Sequence, residues 1–366
     1  MMIISFISFL LLVILGHYFA WRLCLIAWPR LYVGRRYLLA GFVLITLVFL
    51  GLFMFLRGGG NPVIAGIYVA AAIMFGYLSQ LMLLGAIFWL VYILGKRLRP
   101  IARGRLLKVR LTLARVAFFT ASALFVLGSY NAFFPRIKTI VLKAWTPALV
   151  GQSFIQLSDL HLGAVYRPIW LEGIVAQVNA RQPAFTVISG DLIDGSDKEM
   201  GEFAAPLRQL AAPVVFTPGN HDYYVYNGEM ERLAADGNLI LLADAAQAVD
   251  GVEIIGFNYL ARQDSNIRRE IKNLRTENDL PRLVLNHVPV DQAEAAALGA
   301  KLMLSGHTHR GQIFPYSLVL DFLYKQFSYG REIYGDMQTY TSAGVGSWGP
   351  PLRTLCPGEI IEFRFE

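Results

Sequence analysis

The first 135 of the 366 residues contain no aspartate and no glutamate. They hold 13 lysines and arginines, whereas residues 136–366 hold 20 of these together with all 26 acids. The two parts therefore carry formal charges of +13 and −6, and the whole chain +7. So long an acid-free stretch excludes an ordinary mixed-charge surface. It also excludes a cation-coupled path built on paired intramembrane carboxylates. Cysteine is nearly absent: Cys24 and Cys356 are the only two, and neither has a CxxC partner. That excludes a disulfide framework or zinc knuckle and leaves two free thiols. A phosphate loop is excluded as well, because no Gly-Lys-Ser/Thr follows Gly58-Gly59-Gly60, which reads as a tight turn. The sequence shows no internal repeat and no low-complexity linker. Since the basic charge belongs to the apolar part, it gives no support for nucleic-acid binding by the acidic part.

What is present is apolar: 55% of all residues, with a mean hydropathy of +0.47. A bilayer-spanning helix needs about 20 mostly apolar residues. Four runs meet that length: Ile3–Trp28, Tyr37–Leu56, Val63–Gly95 and Leu111–Phe134. The expected organisation is a transmembrane domain of four helices over 1–135 and a second domain over 136–366. The first run has no basic start and no small-residue cleavage site, so it reads as a span and not as a signal peptide. His17 within it reads as a packed residue, and Arg22 near its end can snorkel. Arg30, Arg35 and Arg36 follow the first span, and Lys96, Arg97, Arg99, Arg103, Arg105, Lys108 and Arg110 follow the third. The loop from Arg57 to Pro62 has one basic residue. With four spans, the positive-inside rule puts the two basic loops in the cytoplasm and the second domain on the extracytoplasmic side.

From Arg136 the texture changes. Phe154–Leu157, Phe185–Ser189, Val214–Thr217, Glu253–Phe257, Leu283–Leu285 and Leu302–Leu304 read as buried strands. Pro168–Arg181, Lys198–Leu210, Gly228–Ala235, Asn266–Arg275 and Val290–Leu298 read as helices. Alternation of this kind predicts an α/β domain with substantially parallel pairing.

Five of the six histidines lie in short clusters with Asp, Asn and Gly: Asp159/His161, Gly190-Asp191, Gly219-Asn220-His221-Asp222, Asn286-His287 and Gly306-His307-Thr308-His309. Each cluster follows an expected strand, where ligands gather in open α/β sheets. Carboxylates, imidazoles and an amide oxygen suit borderline-hard divalent ions such as Mn, Fe or Zn. A carboxylate can bridge two such ions, and a pair about 4 Å apart can clamp both ends of a phosphoryl displacement. Any one cluster alone reads equally well as a turn or helix cap.

The ordered blocks Asp159-x-His161, Gly190-Asp191-x-x-Asp194, Gly219-Asn220-His221-Asp222, His287 and Gly306-His307-x-His309 resemble the calcineurin-like metallophosphoesterase superfamily. Gly311-Gln312 and Gly344–Pro351 further resemble its membrane-associated, YkuE/YaeI-like branch. The resemblance implies a two-sheet β-sandwich flanked by helices (α/β/β/α) over 136–366. It implies Asp159, His161 and His309 on one metal ion, Asn220, His287 and His307 on a second, and Asp191 bridging both with a water or hydroxide that attacks phosphorus. His221 would assist the leaving group, Asp222 would orient His221 and raise its pKa, and Asp194 would support the loop.

Gln312–Phe327 is rich in Phe, Leu and Tyr. It reads either as core-packed structure or as an exposed segment that dips into the bilayer interface and admits an amphiphilic substrate. Arg310 and Arg353 stand as phosphate partners or as structural arginines. Tyr223, Tyr224 and Tyr226 stand as packing or as pocket wall.

The leading function is a membrane-anchored, dinuclear-metal-dependent phosphodiesterase or phosphatase. It would sit in a bacterial inner or plasma membrane and act on lipid-linked or cell-envelope phosphoesters. One alternative is a cytoplasmic-facing pyrophosphatase of the UDP-2,3-diacylglucosamine type. An alternative of another class is a non-catalytic metal-binding sensor or a transport-associated protein. The acid-free spans weigh against transport, and the His221–Asp222 pair against a purely metal-binding role.

Overall fold

The acid-free part folds as helices, because every backbone polar group in an apolar segment is satisfied within the segment. The computed structural model describes residues 2–55, 61–98, 103–194, 200–224, 228–260, 279–354 and 356–366, and only the backbone of 2–12, 54, 55, 98, 103, 104 and 106. The expected helix at Asn266–Arg275, the turn at Gly58–Gly60, Arg99, Lys198 and Tyr226 lie outside the described residues.

Within these residues the N-terminal part is α1 (Met2–Ala27), α2 (Arg35–Phe55), α3 (Pro62–Leu98) and α4 (Arg103–Phe133). Arg35–Phe53, Pro62–Arg97 and Leu107–Phe133 are each long and apolar enough to cross a membrane, and Val13–Ala27 is a shorter apolar stretch of α1. α4 begins eight residues before the expected run, because most of its basic start is Arg, Leu and Lys, which are good helix formers. Small residues let the helices approach. Ala20, Ala114 and Ala121 are fully buried, and a Cβ on Gly85 would press on the backbone of Phe19. His17 is buried between α1 and α2, with Nε2 2.9 Å from the Thr46 hydroxyl and Nδ1 2.7 Å from the Val13 carbonyl. That is the packing role expected for it.

The second part has the expected two-sheet architecture. Its elements are β1 (Arg136–Leu142), β2 (Ser153–Leu157), α5 (Pro168–Asn179), β3 (Phe185–Ser189), α6 (Ala204–Leu207), β4 (Val214–Thr217), α7 (Glu229–Asp236), β5 (Leu239–Leu241), β6 (Ala245–Val249), β7 (Val252–Gly256), β8 (Arg282–Leu285), α8 (Gln292–Ala297), β9 (Ala300–Ser305), α9 (Tyr316–Tyr324), β10 (Gly330–Tyr334), β11 (Met337–Thr341) and β12 (Glu359–Phe365). One sheet runs β1-β12-β2-β3-β4-β5 and the other β10-β11-β9-β8-β7-β6. β2, β3, β4 and β5 are parallel, as are β7, β8, β9 and β11.

Alternate residues of each strand face opposite layers. Phe154, Val187, Val215, Leu283, Leu304 and Phe363 form the core between the sheets. Ile155, Ile188 and Phe216 turn the other way, onto Leu171 and Ile174 of α5 and Leu233 of α7. Ile255, Val284 and Met303 pack on Ala295 of α8. The expected helix Lys198–Leu210 is a 3-10 turn over Met200–Phe203 followed by the single turn of α6.

The domain rests on one end of the helices. The Trp170 indole donates to the Phe133 carbonyl (2.8 Å) and the Tyr166 hydroxyl to that of Ala132 (3.2 Å). Trp348 meets Phe53 edge-on at 5.4 Å, and Arg353 N–H donates to the Gly128 carbonyl (2.8 Å). These contacts lie toward the last turns of α2 and α4, the end away from the basic connections α1–α2 and α3–α4.

Candidate metal centre

The strand register gathers the polar clusters. Leu157 pairs with Ile188 and Ser189 with Thr217, so β2, β3 and β4 end level. Leu285 pairs with Leu304 in the facing sheet. Asp159, Asp191, Asn220, His287 and His307 each come two or three residues past these ends, and so share one rim.

Their backbones are bent to serve it. Asp159, His161, Asp191, His307 and His309 all have positive φ, between 48° and 69°. Non-glycine residues in this region cost roughly 1–3 kcal/mol each and persist only where the surroundings over-determine them. Gly190 (φ 89°) and Gly306 leave room for that crowding. A Cβ on Gly190 would strike the His287 ring, and one on Gly306 would strike Ser158 and Asp159.

Two donor groups build the centre, and a third, His161, Asp194 and His221, adjoins the first. Ligand atoms of Asp159, His161 and His309 lie within 4.8 Å of one another, as do those of Asp191, His287 and His307. In the first group His161 Nε2 faces His309 Nε2 at 3.0 Å, and His309 Nε2 lies 3.4 Å from Asp159 Oδ1. In the second, His287 Nε2 is 3.1 Å from Asp191 Oδ2, and His307 Nδ1 is 2.9 Å from Asn220 Oδ1. Asp191 touches both groups, since its Oδ2 is also 3.9 Å from His161 Nε2. His287 Nδ1 donates to the Ser189 carbonyl (2.9 Å), which turns Nε2 toward Asp191 as the atom available for a metal ion.

This set fits divalent cations. Buried polar atoms without partners are costly, yet His161 Nδ1 has no hydrogen-bond partner, Asp194 Oδ2 standing 3.8 Å away. His161 Nε2 and His309 Nε2, 3.0 Å apart, are close enough to share a proton and are both aimed where a cation could replace it. The protonation states agree. Burial lowers His161 to about 4, with His221 adding to the effect. Burial, His161 and Arg353 hold His309 well below the usual imidazole range. Burial pushes Asp159 up to about 6. Burial also opposes the charge on Asp191, but His287 and His221 outweigh it and keep the carboxyl well below its usual range. Burial would likewise lower His287; Asp191 reverses that and raises it to about 9. His161 and His309 are thus neutral beside an ionised Asp191, the form in which these side chains ligate, whereas His287 is held protonated by Asp191 and would release its Nε2 proton to a metal ion.

Beside the donors stands His221, whose Nδ1 donates to Asp194 Oδ1 at 2.7 Å. This corrects the partner expected from sequence. Asp222 accepts instead from the backbone amides of Gly219 (2.7 Å), Asp191 (2.9 Å) and Ile193 (3.1 Å). It is a clamp on the two loops, and burial followed by the Asp191 charge pushes its carboxyl up to about 7.

Arg353 is fully buried and gives its Nε and Nη2 hydrogens to the carbonyls of Gly346 and Ala343, with Nη2 also 3.0 Å from His309 Nδ1. It is structural and braces a metal-type donor, a link across 44 residues that no local signal announces. Arg310 lies over the Tyr329 ring at 4.2 Å. The Tyr223 hydroxyl is turned to Asn258, whereas the Tyr224 ring packs on His221 at 4.8 Å and forms part of the wall.

The profile of calcineurin-like phosphoesterases matches residues 153–311, the segment that supplies every donor named above. The chain carries a calcineurin-like metallophosphoesterase domain. An uncharacterized metallophosphoesterase of Helicobacter pylori is 34% identical over 217 residues, covering 57% of this chain and 58% of that protein. A Bos taurus transmembrane protein with metallophosphoesterase domain is 29% identical over 279 residues, covering 68% of this chain and 61% of that protein. The uncharacterized metallophosphoesterase YkuE of Bacillus subtilis is 28% identical over 229 residues, covering 59% of this chain and 79% of that protein. The chain thus spans less than two thirds of the length of the first two.

Proposed function

We propose that this chain is a membrane-anchored, dinuclear-metal-dependent phosphoester hydrolase that acts on lipid-linked or cell-envelope phosphoesters. The observation that carries the reading is Asp191, an ionised, buried carboxylate within reach of both donor groups. Asp159, His161 and His309 would hold one divalent ion, Asn220, His287 and His307 the other, and Asp191 would bridge them. Such a pair supplies Lewis acidity at the phosphoryl oxygens and a nucleophile at neutral pH.

The remaining roles fall to the protein. His221, with Nδ1–H given to Asp194, carries its mobile proton on Nε2 and assists departure of the leaving oxygen. Asp222 holds the loops that present Asp191 and His221. The domain's seat on the helix ends opposite the basic connections supports the extracytoplasmic side for the site.

The test uses the purified full-length protein with Mn²⁺, bis-p-nitrophenyl phosphate and p-nitrophenyl phosphate. Metal-dependent turnover is expected on at least one ester, lost in Asp191→Asn and lowered roughly 100-fold or more in His221→Ala. Metal-independent turnover, or full activity in Asp191→Asn, would overturn the proposal.

A further inference from the structure

α9 has no buried residue. Phe322 is 82% exposed, Leu323 61%, Leu318 60% and Val319 51%, and the pairs 318/322 and 319/323 stack at helical i,i+4 spacing into one apolar stripe. A stripe this apolar on a helix surface marks an interface with something apolar.

Its position says what that is. Gln312, just before α9, ties it to the Trp348–Thr354 loop. The Gln312 amide donates to the carbonyls of Trp348 (3.0 Å) and Pro350 (3.1 Å), its Oε1 accepts from Trp348 N–H (2.9 Å), and Phe314 N–H donates to Thr354 Oγ1 (2.9 Å). That loop lies against helix shafts and not merely helix tips. Trp348 meets Phe53, a Cβ on Gly349 would lie 3.5 Å from Phe49, and one on Gly76, well inside α3, would lie 3.3 Å from Pro350. α2 has 21 residues and is about 31 Å long, the thickness of a hydrocarbon core. Phe49 and Phe53 fall in its last two turns, so a hydrocarbon core spanned by α2 would put this loop in its boundary layer. The α9 stripe continues from that layer toward the metal centre. The Tyr324 ring, which closes α9, is 6.2 Å from His307, and Trp348 is 6.1 Å from His221.

We propose that α9 and Trp348 form a bilayer-seated rim of the metal centre. The apolar face of α9 docks on the lipid surface, and phosphoester head groups enter the site directly from that leaflet. The substrate class is therefore an amphiphile whose chains stay in the membrane. This rests on the hydrolase reading above for the chemistry, but the docking surface is testable apart from it.

Full-length protein in phosphatidylcholine/phosphatidylglycerol nanodiscs, spin-labelled at Phe322→Cys, gives the first readout; the native thiols Cys24 and Cys356 are buried. Power saturation is expected to show the label accessible to oxygen and shielded from a water-soluble nickel chelate. Nickel access, or shielding from both reagents as under a protein partner or second copy, overturns the docking.

The second readout compares bis-p-nitrophenyl phosphate in solution with a diacyl p-nitrophenyl phosphodiester in vesicles of the same lipids. In the Leu318→Glu/Phe322→Glu double variant, turnover of the vesicle substrate is expected to fall about tenfold or more, with the soluble ester unchanged. Equal effects on both substrates, or none, overturn the proposed entry route. If the unaltered protein hydrolyses neither substrate, the hydrolase reading and this entry route both fail, and the spin-label result still decides the docking.

Discussion

His221 and its two neighbouring carboxylates divide their work by geometry. The short 3-10 turn His221–Tyr223 points consecutive side chains about a third of a turn apart, so Asp222 is directed away from the imidazole beside it. Asp194, 27 positions earlier, reaches His221 instead. The two carboxylates should fail differently. Asp194→Ala is expected to lower turnover about 10- to 100-fold with little change in melting, and Asp194→Asn, which keeps an acceptor for Nδ1–H, to recover part of it. Asp222→Ala leaves three buried amides without their acceptor at roughly 1–3 kcal/mol each, so it should lower the melting temperature of the domain and the yield of folded protein. Steady-state kinetics beside thermal melts in detergent separate the two. Equal loss of stability in both would remove the positioning role from Asp194. At this scale the gathering of the candidate donors at one rim was legible, because each polar cluster follows the end of an apolar strand. The Asp194 contact and the Arg353 brace were not, because loops far apart in sequence decide them.

Among the elements, six strands were legible as short apolar runs, and these are the inner strands buried on both faces. Those that sequence missed are edges or depend on distant partners. β1 and β10 show mostly exposed or half-exposed residues. β12 buries Glu359 and Glu362, which Tyr329, Tyr340 and Ala343 for the first and Thr139 and Arg181 for the second, all from elsewhere in the chain, help make tolerable. α9 was legible as an aromatic, apolar segment, but its exposure depends on packing that composition does not encode. The contact between helices and domain is a testable element in its own right. A Cβ on Gly128 would lie 2.6 Å from Leu352 Cδ1 and 3.3 Å from the Arg353 backbone, whereas one on Gly41 would meet nothing within 4 Å. Gly128→Leu is therefore expected to lift the Trp348–Thr354 loop and cost about 1–3 kcal/mol, with faster proteolytic release of the domain from the helices. Gly41→Leu should behave as the parent. Matching proteolysis rates for the two variants would show that the loop is not seated as described.

At the scale of the whole molecule, charge and chemistry are segregated along the chain. Its first acid is Asp159, itself a metal-type donor, so the sequence places no carboxylate in the membrane-type helices and all of them in the domain that needs them. The basic residues mark the opposite end of the bundle: Arg30, Arg35 and Arg36 between α1 and α2, and Lys96, Arg97, Arg105, Lys108 and Arg110 around the α3–α4 connection. The domain packs on the other end, through Phe53, Gly128 and Phe133. On the proposed sidedness, a thiol at exposed Glu172 of α5 should react with a membrane-impermeant maleimide in intact spheroplasts. A thiol at exposed Arg36 should react only after permeabilisation. The two buried native cysteines should stay silent in both. The reverse pattern would put the metal centre in the cytoplasm. There a nucleotide-linked lipid pyrophosphate becomes an available substrate, while the same α9 rim would face the inner leaflet. The labelling result thus fixes which leaflet supplies the substrate without altering how the site is built.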